Sequence, residues 1–124
     1  MEHLPNTKNT FSEIRNILKK NGIMVGSTPF IYQVHGAPND YLRFTKDFFY
    51  ENLKKQFKNI YIKQLGYGPF IASFSLINPY LKFLPIFREL IYILAYILDS
   101  FIQIFVKTKL SEIYPIGFLF IIKK

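Results

Sequence analysis

The sequence predicts a domain of the α/β class, in which helices alternate with strands along the chain. Apolar residues recur at helical spacing over 7–20, and a short apolar run follows at 23–28. A second helix at about 46–57 precedes a second strand, and a final strand covers 118–122. The order helix, strand, helix, strand is typical of α/β proteins.

The first helix, over 7–20, is predicted by one apolar face. Its members are Phe11, Ile14, Ile17 and Leu18. Asn6 or Thr10 can cap its start, because a short polar side chain can accept a hydrogen bond from an unpaired helix amide. Asn21-Gly22 is expected to end it through a left-handed residue.

The first strand, 23–28, shows no alternation of apolar and polar residues. This pattern favours a strand that is buried on both faces, as in parallel sheets. Pro29 is expected to stop it. Residues 30–44 are too polar and irregular for a core element, and long connections of this kind often carry function.

The second helix has Thr45 as its predicted cap and turns three apolar residues inward, Phe49, Leu53 and Phe57. The strand that follows, "NIYIKQLGYG", ends at glycines. The predicted domain organisation is a partial α/β domain at 1–68, an apolar helical insert at 69–113, and a last strand of the same domain at 114–124.

The insert is strongly apolar, and Pro79 and Pro85 divide it. After Pro85 the pattern predicts one long helix, over 85–106. Its longest uncharged run, Leu90–Leu98, is shorter than the roughly 20 apolar residues that span a bilayer. A span remains open if Asp99 is included, but a helix at the membrane interface or packed on the sheet is favoured.

The composition limits the possible functions. The 16 Lys and Arg residues against 8 Asp and Glu give a net charge of +8, which favours anionic partners. The charges do not cluster and no RNA-binding signature is present, so nucleic acid is not favoured as a partner. The absence of cysteine excludes disulfides, a thiolate nucleophile and a cysteine-based zinc site.

Two stretches resemble a known family. "EHLPNTKNTFSEIRNILKKNGIMVGSTPF" is similar to the second half of class I S-adenosylmethionine-dependent methyltransferases. The matching residues are Glu2, His3, Pro5, Leu18, Lys19, Gly22 and Pro29. "HGAPNDYLRFT" resembles the stretch after strand five in one subgroup, often found beside sugar and cell-envelope genes. The matching residues there are His35, Pro38, Asp40, Tyr41, Arg43, Phe44 and Thr45.

The resemblance implies strands five to seven of a Rossmann-like methyltransferase sheet, with "YPIGFLFIIKK" as the antiparallel last strand. It implies S-adenosylmethionine as cofactor, with Glu2 and His3 near the methyl donor. It also implies a substrate site that includes His35, Asp40, Tyr41 and Arg43. His3 and His35 are the expected catalytic residues, since imidazole suits proton removal from a hydroxyl or amine.

The glycine-rich loop of that family belongs to its first half, and no counterpart is found here. The only Gly-x-Gly, Gly66-Tyr67-Gly68, lacks a third glycine at the right place and is expected to be a turn. We therefore expect this chain alone to bind the cofactor weakly or not at all. The cofactor-binding half is then expected on a separate chain or on a longer gene product.

Alternatives without a catalytic or binding role stay open at each candidate site. Glu2-His3 can be a frayed terminus, and Asp40 can pair with Arg43 simply to fix the loop. No metal site is predicted, because His3 and His35 lack cysteine partners and carboxylates at ligand spacing.

Two functions are therefore expected from the sequence. The first is the C-terminal part of a methyltransferase acting on a small-molecule, sugar or lipid-linked acceptor. The alternative is a non-catalytic module that binds an anionic membrane surface or a partner. The expected location is the cytoplasm, with contact to the inner face of the membrane as an open possibility.

Overall fold

A computed structural model describes residues 1–7, 9–36 and 39–124. The chain forms two compact units. The sheet unit contains Met1–Phe30, Val34–Lys63 and Gly117–Lys124. The helical unit contains Ile31–Gln33 and Gln64–Ile116.

The sheet has three strands and is antiparallel, in the order β1–β3–β2. Its strands are β1 (Ile23–Pro29), β2 (Asn59–Leu65) and β3 (Gly117–Lys123). The pairing of β1 with β3 runs from Ile23 opposite Lys123 to Pro29 opposite Gly117. The mixture of helices and strands confirms the α/β class at this coarse level.

The predicted environment of β1 is wrong. The strand lies at one edge of the described sheet and pairs antiparallel with β3, and its exposure alternates along the chain. Ile23 and Val25 are 61% and 60% exposed, so they point away from the core. Only the alternate positions Met24, Gly26 and Thr28 line the inner face of the sheet. The uninterrupted apolar run therefore did not indicate burial on both faces.

The two helices of the sheet unit are shorter than predicted. Helix α1 covers Thr10–Ile17 and has Asn9 at its cap position, where no side-chain cap hydrogen bond forms. Asn21 is left-handed as expected, with a φ of 62°, but it does not end the helix, which stops at Ile17 with an extended Leu18 as its C-cap. Helix α2 covers Lys46–Leu53, and the Thr45 hydroxyl accepts a hydrogen bond from the Phe48 amide, which confirms that cap.

The core of the sheet unit is dominated by phenylalanine. Its buried members are Phe11, Phe44, Phe49, Leu53, Phe57, Phe118, Phe120 and Ile122. The three side chains predicted to face inward from the second helical segment are therefore confirmed. Gly26 makes room for this core, because a Cβ added there would lie 2.3 Å from the ring of Phe120.

The helical unit contains α3 (Pro69–Ile77), a 3-10 turn (Asn78–Leu81), α4 (Pro85–Phe105) and the short α5 (Leu110–Ile113). The long helix predicted after Pro85 is thus present. Its buried core is small and consists of Ile71, Phe74 and Ala95, with partly buried neighbours.

One buried carboxylate joins the two main helices of this unit. Asp99 of α4 is fully buried and accepts hydrogen bonds from the amides of Phe70 and Ile71, at 3.0 and 2.9 Å. These amides are at the start of α3, where helix N–H groups have no partner within the helix. Because a carboxylate already occupies them, the preceding Gly66-Tyr67-Gly68 does not present them to a nucleotide phosphate.

Candidate functional site

The connection after β1 folds back onto the first residues of the chain. The Tyr41 amide donates to the Glu2 carbonyl at 2.8 Å, and His3 Nδ1 lies 2.7 Å from the Asn39 carbonyl. The His3 and His35 rings meet edge to face, with their centroids 5.2 Å apart. We call residues 1–3, 35–36 and 39–43 the clasp.

Asp40 is the central polar residue of the clasp. Its side chain is only 2% exposed, and it accepts from the His35 amide at 3.0 Å while lying 3.3 Å from His35 Nδ1. The Arg43 guanidinium binds both of its oxygens. Arg43 first, and the His35 amide second, hold the pKa of Asp40 well below its ordinary value, so the carboxylate is ionised at neutral pH.

The pairing also acts on Arg43. The hydrogen bond to Asp40 raises the pKa of the Arg43 guanidinium further above its ordinary value. The internal tie between Asp40 and Arg43, one of the two alternatives open from the sequence, is therefore present. A substrate role for either residue remains a proposal.

Glu2 contributes a second, mostly buried carboxylate. Its side chain is 12% exposed, with the Met1 ammonium 3.1 Å and His3 Nε2 3.6 Å away. Burial raises the pKa of Glu2, but hydrogen bonds from its own backbone amide and from the ammonium outweigh that effect and lower it overall. Residues 1–3 are held against the rest of the clasp by the contacts of Glu2 with Tyr41 and of His3 with Asn39.

The clasp brings Glu2, His3 and His35 together. One ligand-type atom from each lies within 4.8 Å of the other two. The sequence predicted no metal site because His3 and His35 lack cysteine partners and carboxylates at ligand spacing. In the folded chain the Glu2 carboxylate lies near both histidines. The spacing argument missed this cluster because His35 reaches His3 only through the path of the connection, which no local pattern encodes.

All six candidate site residues lie in the clasp, namely Glu2, His3, His35, Asp40, Tyr41 and Arg43. Tyr41 is half exposed, and its hydroxyl accepts from the Asn39 side-chain amide at 2.9 Å. Asn39 was not predicted, although its carbonyl and amide contact two of the candidates. Pro38, which the resemblance also matched, lies outside the described residues.

A second feature belongs to the helical unit. One face of α4 is apolar and exposed along most of the 21-residue helix. We call it the apolar stripe: Ile86, Phe87, Leu90, Ile93, Leu94, Ile97, Phe101, Ile104 and Phe105. These residues recur every three or four positions, opposite Ala95, which packs in the small core. A contiguous apolar surface of this length is unusual for a monomer in water.

Basic residues flank the apolar stripe. Lys82 precedes its start, and Lys107 and Lys109 follow its end, whereas Arg88 is paired with Glu89 at 2.7 Å. Lys82 Nζ is 5.4 Å from the ring centroid of Phe83, which is 81% exposed. Within the described residues, we find no helix with the length and apolar character needed to cross a bilayer.

Comparison with known proteins returned no relationship. No protein-family model matches the chain, and no curated protein or solved structure is significantly similar to it.

Proposed function

We propose that this chain forms the C-terminal part of an S-adenosylmethionine-dependent methyltransferase of the class I type. The acceptor is proposed to be a small molecule, a sugar or a cell-envelope component. The observation that carries the proposal is the clasp, in which both stretches of the family resemblance meet at hydrogen-bond distance. Each stretch was matched to the family without reference to the other, so their contact in the folded chain supports the proposal independently.

The position of the clasp in the fold supports the same proposal. Residues 30–44 leave the carboxyl end of β1, the end of a strand at which ligands bind in open α/β sheets. The last strand runs antiparallel beside β1, as the resemblance implies for the closing strand of that fold. The finer assignment to strands five to seven of a methyltransferase sheet is part of this proposal.

The residues of the clasp have chemistry that suits methyl transfer. The cofactor supplies a methyl group on a positively charged sulfonium. The ionised Glu2 carboxylate suits a cation nearby, and this is consistent with Glu2 and His3 as the proposed cofactor contacts. His35 and Tyr41 are proposed to contact the acceptor, while Asp40 and Arg43 hold His35 in position.

Proton removal from the acceptor is assigned to the histidines. His3 Nδ1 faces the Asn39 carbonyl, which can only accept, so Nδ1 carries the proton. The lone pair of the neutral ring is then on Nε2, where it can take a proton from a hydroxyl or amine. Methyl transfer itself is a displacement in which positioning of donor and acceptor counts most.

The test uses the protein isolated from its source, with any chain that co-purifies. Intact mass establishes how much protein accompanies residues 1–124, and calorimetry measures S-adenosylmethionine binding. We expect saturable binding that Glu2→Gln and His3→Asn weaken about tenfold, while Glu51→Gln, at an exposed position, leaves it unchanged. No binding by the native protein would refute the proposal.

We propose anionic membrane binding as a second function, because the apolar stripe lies exposed between basic residues. A helix of this kind lies in the interface, with its apolar face among the acyl chains and its cations at the head groups. A lipid surface accounts for the charge at both ends of the stripe, which an apolar protein groove does not require.

Vesicle co-sedimentation tests this second function. We expect binding to vesicles that contain phosphatidylserine, weakening as salt is added. Ile86→Ser should reduce the affinity about thirtyfold, because one buried isoleucine is worth about 2 kcal/mol. Ile17→Ser is the matched control, since Ile17 is equally exposed but lies in the sheet unit. Equal binding by both variants, or no binding at low salt, would contradict the function.

A further inference from the structure

We infer that Glu2, His3 and His35 form a binding site for a divalent transition-metal ion, with zinc as the reference ion. Their ligand-type atoms lie within 4.8 Å of one another, so small side-chain movements bring all three within bonding distance of one ion. Two histidines and one glutamate are a ligand set that binds zinc in enzymes and keeps a coordination position open.

The acceptor groups beside the two rings favour this role. His3 Nδ1 lies 2.7 Å from the Asn39 carbonyl, and His35 Nδ1 lies 3.3 Å from an Asp40 carboxylate oxygen. Both partners are acceptors, which favours the tautomer with the proton on Nδ1 and the lone pair on Nε2. Metal-binding histidines almost always show this arrangement, with a carbonyl or carboxylate fixing the ring from the other side.

The contact between Glu2 and His3 also calls for a cation. His3 Nε2 lies 3.6 Å from a Glu2 carboxylate oxygen. With the proton on Nδ1, two electron-pair donors face each other at this distance, which is unfavourable unless a positive charge lies near both. A metal ion bound by both groups supplies that charge.

The remaining parts of the clasp support the ligands from outside. Arg43 fixes Asp40, and Asp40 in turn faces His35. The Met1 ammonium holds one Glu2 oxygen and leaves the other turned toward His3. The ligands are therefore oriented before any ion arrives, so little ordering is required on binding.

This site goes beyond methyl transfer and does not depend on it. The open coordination position of a bound ion would take a hydroxyl or water oxygen, and the ion would lower the pKa of that group. If both proposals hold, that acidification replaces proton removal by His3 and His35, which then act as ligands.

The composition makes a zinc-binding test specific to this site. The chain has no cysteine and only two histidines, and both are in the clasp. Calorimetry on the untagged chain should show one zinc ion per chain with micromolar or tighter affinity, and no comparable binding of Mg²⁺, which prefers oxygen ligands. No saturable zinc binding would overturn the site.

Variants then identify the ligands. His3→Asn and His35→Asn keep a donor near the Nδ1 position but remove Nε2, so each should abolish tight binding. Glu2→Gln should weaken binding, whereas Glu51→Gln should not. Asp40→Asn should weaken binding about 10- to 100-fold through the orientation of His35. Circular dichroism checks that each variant is folded.

Two results would contradict the inference. Zinc binding that survives His35→Asn would mean that the ion uses the amino terminus and His3 instead. If a variant does not fold, ¹⁵N spectra of the wild-type histidines decide the question, because zinc must shift the Nε2 resonance of both rings. A shift of one ring only, or of neither, would overturn the site.

Discussion

The two units of this protein differ in how much of their apolar surface they bury. The sheet unit buries eight large apolar side chains in one core. The helical unit buries five, of which Ile71, Phe74 and Leu110 are large, and leaves the apolar stripe of α4 exposed. The sheet unit is therefore stabilised mainly by packing, whereas the helical unit has a smaller core to which the buried Asp99 adds two hydrogen bonds. The difference indicates that the stripe needs a further surface, and we have proposed a membrane.

The largest expected effect is a cavity in the sheet unit. Phe49 is fully buried and contacts several other phenylalanines, among them Phe120 at a ring separation of 5.0 Å. Phe49→Ala should lower the free energy of unfolding by about 3–5 kcal/mol. Its neighbour Tyr50 is half exposed, so Tyr50→Ala is the control and should cost little. Urea denaturation measures both, and similar losses would contradict the packing argument.

The next largest effect tests the helical unit. Asp99→Ala removes the acceptor for the Phe70 and Ile71 amides and leaves them unsatisfied in a buried position. We expect a loss of about 2–3 kcal/mol and faster hydrogen exchange at these two amides. Glu89→Ala, at an exposed position of the same helix, is the control. Unchanged exchange in Asp99→Ala would mean that packing holds this unit as well.

A smaller loss is expected where β1 meets the core. Gly26→Ala places a Cβ against the Phe120 ring, which is 1% exposed and has little freedom to move. The expected cost is about 1–3 kcal/mol, seen as a lower melting temperature. Ser27→Ala on the outer face of the same strand should be nearly neutral. A neutral Gly26→Ala would show that this core is looser than its burial indicates.

The smallest effect concerns the clasp and depends on pH. The pKa of Asp40 is lower in the folded chain than its ordinary value of 3.8. Its ionised form therefore stabilises the fold above about pH 4, and that contribution is lost as the pH falls below this value. Asp40→Asn should be less stable than wild type at pH 7, with the difference shrinking toward pH 2. A difference that stays constant with pH would refute this role of Asp40.

Local features of the fold were predictable from the sequence, because their causes are local. The Thr45 cap, the left-handed Asn21 and the long helix after Pro85 each follow from neighbouring residues. The inward side of α2 also follows, since helical spacing alone identifies Phe49 and Leu53.

Features that join distant parts of the chain were not predictable. The resemblance implied an antiparallel last strand, but nothing in "IMVGST" itself identifies β3, almost a hundred residues later, as its partner. Asp99 caps a helix that starts 30 residues earlier, where local rules expect a residue just before the helix. The six clasp residues were identified through a resemblance, but their contacts and the part played by Asn39 required the structure.

The most direct test of this account is a ¹⁵N spectrum of the two histidines in the metal-free chain at neutral pH. The clasp predicts that both rings carry the proton on Nδ1, and that a nuclear Overhauser effect connects His3 with His35, whose centroids are 5.2 Å apart. Two rings with the tautomer mixture of free imidazole and no contact between them would contradict the clasp. The proposed functions of that site would lose their basis with it.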